Sequence, residues 1–187
     1  MASEAPLEQT DEGLKPTGEG WFVVNARDAR WRKKPGRGYS LALTGSTDHE
    51  AETFFPQLGV NIAVLAPGEP LSLYHWENET EGFLVLYGEA LLGIEGEERP
   101  LRQWDFVHCP PRTKHVIVGA GEAPCAILAV GTREFMGRDD WGGYSADPLA
   151  DRYGIGLEED SNDAEDAYAR FGETTFTRYR EGWLPEQ

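Results

Sequence analysis

The sequence has few cysteines and few basic residues, and both shortages limit its possible partners. Its two cysteines, Cys109 and Cys125, form no CxxC pair, and no secretory signal opens the chain, so we expect a reducing, cytoplasmic location. Lys and Arg total 17 against 33 Asp and Glu, which gives a net charge of −16. Because nucleic-acid phosphates and anionic membrane surfaces are bound by clustered Lys and Arg, we expect neither partner.

Long apolar runs and phosphate-binding loops are also missing. No apolar run approaches the ~20 residues that a membrane helix needs. The sequence Gly119-x-Gly121 lacks the strand–loop–helix context of a phosphate loop. What the chain does have is core-forming material, with 40% hydrophobic and 11% aromatic residues in 187 positions. We therefore expect one domain with extensions.

Short strand-like runs follow each other closely in the middle of the chain, separated by Gly, Pro and Asn turn signals. They are residues 60–66, 71–76, 82–87, 90–94, 98–101, 106–109, 115–118 and 126–130. Short strands at nearly regular spacing predict an all-β barrel or sandwich. No long helical pattern lies between them, so a parallel α/β fold is not expected.

The flanking regions differ in character from this centre. Residues 1–20 are poor in large apolar side chains and are predicted to be a flexible N-terminal tail. The barrel with its N-terminal strands is assigned to residues 21–132, and a C-terminal extension to residues 133–187. Two further strands are predicted at residues 21–25 and 39–43.

Three other segments receive predictions of their own. Residues 27–37 form the basic segment, interpreted as a surface loop or as an arm across a partner subunit. A short helix is predicted at 147–153 and a better one at 162–171, the latter capped by Asn162. Residues 176–183 are expected to pack on the barrel or on a second subunit. His49 is interpreted as a loop residue.

Two histidines and two carboxylates are spaced so that they can meet on one face. His75 and Glu77 are two residues apart, and alternate residues of a strand point to the same side. Glu81 follows a short turn and begins the next strand, while His115 begins a later one. Four ligands from three strands can hold a divalent metal and leave a position open, as catalytic sites do.

The same stretch resembles the cupin superfamily. The family's first motif runs Gly, five residues, His-x-His, three or four residues, Glu, six residues, Gly. Here Gly68 leads, the sequence from His75 to Glu77 stands at the His-x-His positions, and Glu81 is followed by six residues and Gly88.

The second motif of the family runs Gly, five residues, Pro-x-Gly, two residues, His, three residues, Asn. Pro110 and His115 match it, whereas Trp104, Arg112 and Gly119 replace the first Gly, the second Gly and the Asn. The resemblance covers residues 58–131. It implies an all-β fold: a cupin-like antiparallel β-barrel, also called a double-stranded β-helix or jelly roll, here with a small C-terminal helical extension.

The first motif departs from the family pattern in two ways. Glu77 replaces one of three usual histidines, and the spacing from Gly68 to His75 is one residue too long. A strict alignment would put Tyr74 and Trp76 at the ligand positions instead. Since strand neighbours face opposite sides, the barrel interior receives one pair or the other.

We favour His75 and Glu77, because turning them outward would leave Glu81 and His115 without partners. Two neutral imidazoles and two carboxylates would also balance a divalent ion. The oxygen-rich set favours Zn, Fe or Mn over a soft metal, without choosing among them.

Two function classes remain open. The first is a metal-dependent enzyme of oxygenase, isomerase or lyase type that acts on a small oxygen-bearing substrate, with Tyr74 and His108 as acid–base candidates. The second is a non-catalytic module that binds a metal or a small ligand, because the resemblance does not imply catalysis. Proteins that resemble small cupins are commonly dimers, so a homodimer is expected.

Overall fold

The computed structural model of the chain describes residues 3–18, 20–44, 57–135 and 137–185. His49, interpreted above as a loop residue, lies outside these ranges. The described strands, in chain order, are β1 (Leu7–Thr10), β2 (Gly13–Pro16), β3 (Trp31–Lys33), β4 (Tyr39–Thr44), β5 (Leu58–Leu65), β6 (His75–Glu77), β7 (Glu81–Tyr87), β8 (Glu89–Ile94), β9 (Glu97–Arg102), β10 (Phe106–Cys109), β11 (His115–Ala120), β12 (Cys125–Thr132), β13 (Gly142–Tyr144) and β14 (Thr175–Thr177). The described helices are α1 (Pro148–Arg152) and α2 (Ala164–Tyr168).

Two antiparallel sheets form the body of the protein. One has the strand order β10-β7-β12-β5-β4-β3-β14 and the other the order β13-β6-β11-β8-β9. Residues from both sheets share one buried cluster, which includes Phe83, Val85 and Ile127 from the first and Leu92 and Ile117 from the second. The predicted all-β antiparallel fold with short C-terminal helices is therefore confirmed.

The C-terminal extension covers the outer side of the five-stranded sheet. Leu149 and Ile155 pack there with Tyr74, Val116 and Val118 in a second buried cluster. Alternate residues of β11 thus serve two cores, because Ile117 points between the sheets while its neighbours point to the extension.

The last residues of the chain pack on the seven-stranded sheet. Trp183 is buried against Trp31 and Tyr39, with ring centroids 5.1 and 4.2 Å apart. Of the two placements expected for residues 176–183, the described chain therefore shows packing on the barrel. No helix among the described residues is long and apolar enough to cross a membrane.

Several local predictions differ from the structure. Residues 21–25 form no strand: Trp21 makes a single bridge to Glu4, and Trp21 and Val23 are 53% and 76% exposed. The segment predicted as a flexible tail contains the β1–β2 hairpin, across which Lys15 pairs with Glu8 at 3.0 Å.

Two further elements are shorter than predicted. Strand β6 is His75–Glu77, so only His75 and Trp76 of the predicted 71–76 run are in a strand; Leu71 N–H donates to the Ile117 carbonyl at 2.8 Å outside the regular ladder. Helix α2 covers Ala164–Tyr168, and its N-cap is Asp163, whose carboxylate accepts from Glu165 N–H at 2.8 Å; the predicted cap, Asn162, is not used. Helix α1, with Asp147 as cap and Pro148 in its first turn, agrees with the prediction.

Candidate metal centre

Two histidines lie side by side on neighbouring strands. His75 on β6 is directly opposite His115 on β11, and their ring centroids are 4.7 Å apart. Both are buried, at 7% and 2% exposure. The register therefore brings the two imidazoles together although 40 positions separate them in sequence.

Glu81 approaches the pair from the other sheet, where it begins β7. Its Oε2 atom lies 3.4 Å from His115 Nε2 and 4.0 Å from His75 Nε2. One ligand atom from each of His75, Glu81 and His115 lies within 4.8 Å of the other two. An ion fits between the three atoms, because metal–ligand bonds of about 2.0–2.2 Å place the ligand atoms of one ion at separations similar to these.

Glu77 borders this group. It lies two residues after His75 on the same strand face, and its Oε1 atom is 3.6 Å from His75 Nε2. His75, Glu77 and Glu81 line one cavity, so the choice between the two alignments is decided: His75 and Glu77 face inward. Glu77 stands at the edge of the three-atom group, and its role as a fourth ligand stays a prediction.

The backbone orients both imidazoles. His75 Nδ1 is 2.9 Å from the Leu73 carbonyl oxygen, and His115 Nδ1 is 3.0 Å from that of Thr113. A carbonyl oxygen only accepts, so Nδ1 is the protonated donor and each Nε2 is directed at the carboxylates. Such hydrogen bonds from the far ring nitrogen are what hold metal-ligating histidines in place.

His115 Nε2 is buried and has no hydrogen-bond partner among the residues that the structure describes. A buried polar atom left unpaired costs about 1–3 kcal/mol, and such atoms in folded proteins usually have a cause. Coordination of an ion held jointly with His75 and Glu81 would satisfy this atom. The donor set and the unpaired nitrogen together fit a divalent metal.

Burial and charge shift the two histidines in opposite directions. Burial lowers the pKa of His75, but the neighbouring carboxylates of Glu77 and Glu81 outweigh it and raise that pKa to about 9. Burial, reinforced by the charge of His75, lowers the pKa of His115 to about 4. The pair therefore carries one positive charge at neutral pH, from a second ring proton on His75.

The two carboxylates also differ. Burial and the charge of Glu77 raise the pKa of Glu81 to about 7. Burial alone would raise the pKa of Glu77, but the ion pair with His75 and the charge of Arg133 lower it. At neutral pH Glu77 is thus ionised and Glu81 about half ionised, so the cluster attracts a positive charge.

A cavity of about 300 Å³ opens beside the cluster. We call it the metal-site cavity; apart from His75, Glu77 and Glu81 it is lined by Arg32, Lys34, Ser40, Asn61, Ala63, Leu71, Ser72, Phe83, Ala129, Val130, Gly131 and Arg133. A larger groove of about 860 Å³ lies between the barrel and the C-terminal extension and shares Glu77 and Arg133 with it. These two residues therefore stand at the boundary between both spaces.

Neither predicted acid–base residue reaches the cluster. Tyr74 lies in the core under the extension, and its hydroxyl accepts from Gly96 N–H at 3.0 Å. His108 is exposed on β10, because the inward positions of that strand belong to its neighbours Val107 and Cys109. Alternation along β10 turns His108 outward, and Tyr74, directly before β6, is buried under the extension, so the catalytic assignments of both residues do not fit the cavity.

The sequence interpretation also missed the cationic lining. Arg32 and Lys34 belong to the basic segment 27–37, which is mostly turns around the short strand β3, and both side chains line the cavity. The i, i+2 spacing in a possible strand was the available signal. Arg133 lies just beyond β12, and no sequence pattern indicated its place in the cavity.

Comparison with known proteins gives the following matches. The cupin domain family model matches residues 61–131. A curated relative, mannose-1-phosphate guanylyltransferase of Salmonella montevideo, is 24% identical over 106 residues, or 57% of this chain and 21% of that protein. The chain thus spans about a fifth of that relative's length.

Two solved structures are similar over part of the chain. A cupin 2 domain-containing protein from Halorhodospira halophila is 20% identical, with a TM-score of 0.46 over 52% of this chain and 66% of that one. A cupin protein from Bacteroides fragilis is 22% identical, with a TM-score of 0.45 over 59% of this chain and 81% of that one. The family match, the barrel and both motif histidines in place show that residues 61–131 of the chain form a cupin domain.

Proposed function

We propose that this cupin is a metal-dependent enzyme acting on a small oxygen-bearing molecule, with one divalent ion held by His75, Glu81 and His115. The observation that supports it most is the buried Nε2 of His115, which lies 3.4 Å from Glu81 Oε2 and has no hydrogen-bond partner within the described parts of the chain. A purely structural histidine would be expected to use both ring nitrogens when buried. Glu77 is the proposed fourth ligand.

The ligand set narrows the metal and the reaction types. Imidazole and carboxylate ligands suit Zn, Fe or Mn, and two histidines with one carboxylate are the set of non-haem iron oxygenases. When bound, such an ion supplies Lewis acidity or activates water or dioxygen. We propose a reaction of oxygenase, isomerase or lyase type.

The chain's own residues would prepare this site in three ways. The carbonyl oxygens of Leu73 and Thr113 hold the imidazole rings, so the ligand atoms need little reorganisation. Burial of both histidines keeps bulk water away from Nε2. Glu77 borders both the metal-site cavity and the outer groove, so a ligand in either space would meet its carboxylate.

Metal analysis of purified full-length protein tests the proposal. We expect close to one divalent ion per chain, and loss of most of it in His115→Ala and Glu81→Gln. His108→Ala is the matched control, because this histidine is exposed and lies outside the cluster. A protein without stoichiometric metal after reconstitution, or unchanged metal content in His115→Ala, would refute the assignment.

Catalysis requires a separate measurement. Oxygen uptake and product formation would be screened with small oxygen-bearing substrates on the metal-loaded chain. Turnover that is lost in Glu81→Gln supports an enzyme. Ligand binding without any turnover would instead support the non-catalytic module.

A further inference from the structure

The metal-site cavity is positively charged in a strongly negative protein. Arg32, Lys34 and Arg133 line it, and all three are half-buried. They share the lining with the carboxylates of Glu77 and Glu81, so cationic side chains outnumber acidic ones in the cavity. A bound divalent ion would add two positive charges, whereas the whole chain carries −16.

The same cavity contains a buried hydroxyl. Ser40 is 3% exposed, and its Oγ atom makes no hydrogen bond to any described residue. In the sheet Ser40 is directly opposite Arg32 on β3 and Ala63 on β5, and opposite residues of antiparallel strands share a face. All three line the metal-site cavity, so the hydroxyl is directed into it.

Two glycines make room for the Arg133 guanidinium. Gly59 and Gly131 are directly opposite each other on β5 and β12. A Cβ atom on Gly59 would lie 2.4 Å from Arg133 Nη2, and one on Gly131 would lie 2.8 Å from Nη1. Neither glycine has a positive φ, so the requirement at both positions is space. The guanidinium thus lies against bare backbone at the cavity edge.

We propose that the metal-site cavity binds a small organic anion, through Arg133, Arg32 and Ser40, with its oxygen-bearing end towards the histidine cluster. Arginine binds carboxylate and phosphate groups in the same two-pronged way, so these two groups share the chemistry of the site. The volume of about 300 Å³ is at the lower end of the ~300–1,000 Å³ of small-molecule sites, which favours a small ligand.

This inference rests on the proposed function for the orientation of the ligand, but the anion subsite has its own residues. Ser40 and Arg133 are outside the group of three ligand atoms. Their replacement can therefore weaken anion binding without removing the metal, and the two proposals fail separately.

Calorimetric titration of the full-length, metal-loaded chain with inorganic phosphate and with malonate tests the proposal, and glycerol serves as the neutral probe. We expect binding of at least one anion and no binding of glycerol. Arg133→Met and Ser40→Ala should each lower the affinity for the anion about tenfold or more, as expected when a hydrogen bond to a charged group is lost. Phosphate without malonate would indicate a phosphate ester, and the reverse a carboxylate; either supports the proposal.

Two further variants make the test specific. Gly59→Ala changes none of the side chains that line the cavity, but its Cβ atom displaces the Arg133 guanidinium. It should therefore lower the affinity for the anion as Arg133→Met does. Arg99→Met removes an exposed arginine on β9 that pairs with Glu97, and it should change nothing. Metal content should stay the same in all four variants.

Some outcomes would overturn the inference. They are the absence of phosphate and malonate binding by the metal-loaded protein, and equal anion affinity in the wild type, Arg133→Met and Ser40→Ala. If the protein holds no metal, the same titrations on that chain still decide the matter. Weakened anion binding in the variants would then support the subsite while the proposed metal function fails.

Discussion

Metal binding at the cluster should depend on pH, because the ion and a proton compete for His75 Nε2. A metal binds only neutral imidazole, so the proton must leave first. The pKa of His75 is about 9, since the nearby charges of Glu77 and Glu81 outweigh the opposing effect of burial. Below pH 9 the proton therefore weakens apparent metal affinity, and the affinity should rise with pH.

The pKa values fix the size of the effect. At pH 7 the pH is about two units below the pKa of His75. Removing the proton therefore costs about 2.7 kcal/mol at ~1.36 kcal/mol per unit, which lowers the metal affinity roughly 100-fold. Apparent affinity should rise roughly tenfold per unit from pH 7 to 9 and then level off. His115, with a pKa of about 4, adds no dependence in this range. Glu81, with a pKa of about 7, adds a second proton only near and below neutrality.

Calorimetry of Zn²⁺ binding to the chelator-treated chain measures this directly. Titrations at pH 7, 8 and 9, in buffers with different ionisation enthalpies, should show release of about one proton per ion at pH 8. Glu77→Gln removes the nearer carboxylate, so the pKa of His75 should fall and the slope between pH 7 and 9 should become shallower. Constant affinity from pH 7 to 9 without proton release would show that the reasoning is wrong.

Two other predictions follow from the backbone and from the corrected site. Trp104 has a φ of +74° and is 67% exposed. Because a left-handed conformation costs a non-glycine residue about 1–2 kcal/mol and glycine loses about 0.5–1 kcal/mol in entropy, Trp104→Gly should raise the free energy of unfolding by about 0.5–1 kcal/mol in urea titrations. Trp104→Ala should not; equal stability of both variants would contradict the explanation. Tyr74→Phe and His108→Ala should keep full metal content and any turnover in the same assays, and a loss of either would restore these residues to the site.

Much of the barrel could be predicted from local pattern. Alternating apolar residues between Gly and Pro turns located strands such as Tyr39–Thr44 and Glu81–Tyr87 to within a residue or two. Residues 21–25 have the same apolar character but make no strand, because a strand also needs a partner, and only Trp21 forms a bridge there. Local propensity does not contain that non-local requirement.

The motif departures show how backbone conformation can persist when the residue changes. Trp104 and Arg112 stand where the cupin motif has glycine, and both have positive φ, at +74° and +71°. The turns at these positions thus keep the conformation that glycine favours. The resemblance was confirmed in spite of these substitutions, because the spacing of the turn, and not the residue, positions His115.

The candidate site was predictable where it depended on alternation and not where it depended on sheet order. Strand parity left two choices for the first motif, and only the pairing of His75 with His115 across β6 and β11 decides between them. Ser40 and Arg133 were missed because they come from β4 and the end of β12. Their approach to the cluster depends on which strands are neighbours, which no local pattern specifies.

The two buried histidines finally argue against a purely structural cluster. They have similar burial and lie 4.7 Å apart, yet their pKa values are about 9 and about 4. The difference arises because Glu77 and Glu81 attract one positive charge, and a proton on His75 supplies it while leaving His115 Nε2 unpaired. A divalent ion between the three ligand atoms would supply the charge and satisfy this nitrogen at once. A proton supplies the charge but leaves the nitrogen unpaired, so the arrangement is better matched to a metal than to a protonated pair.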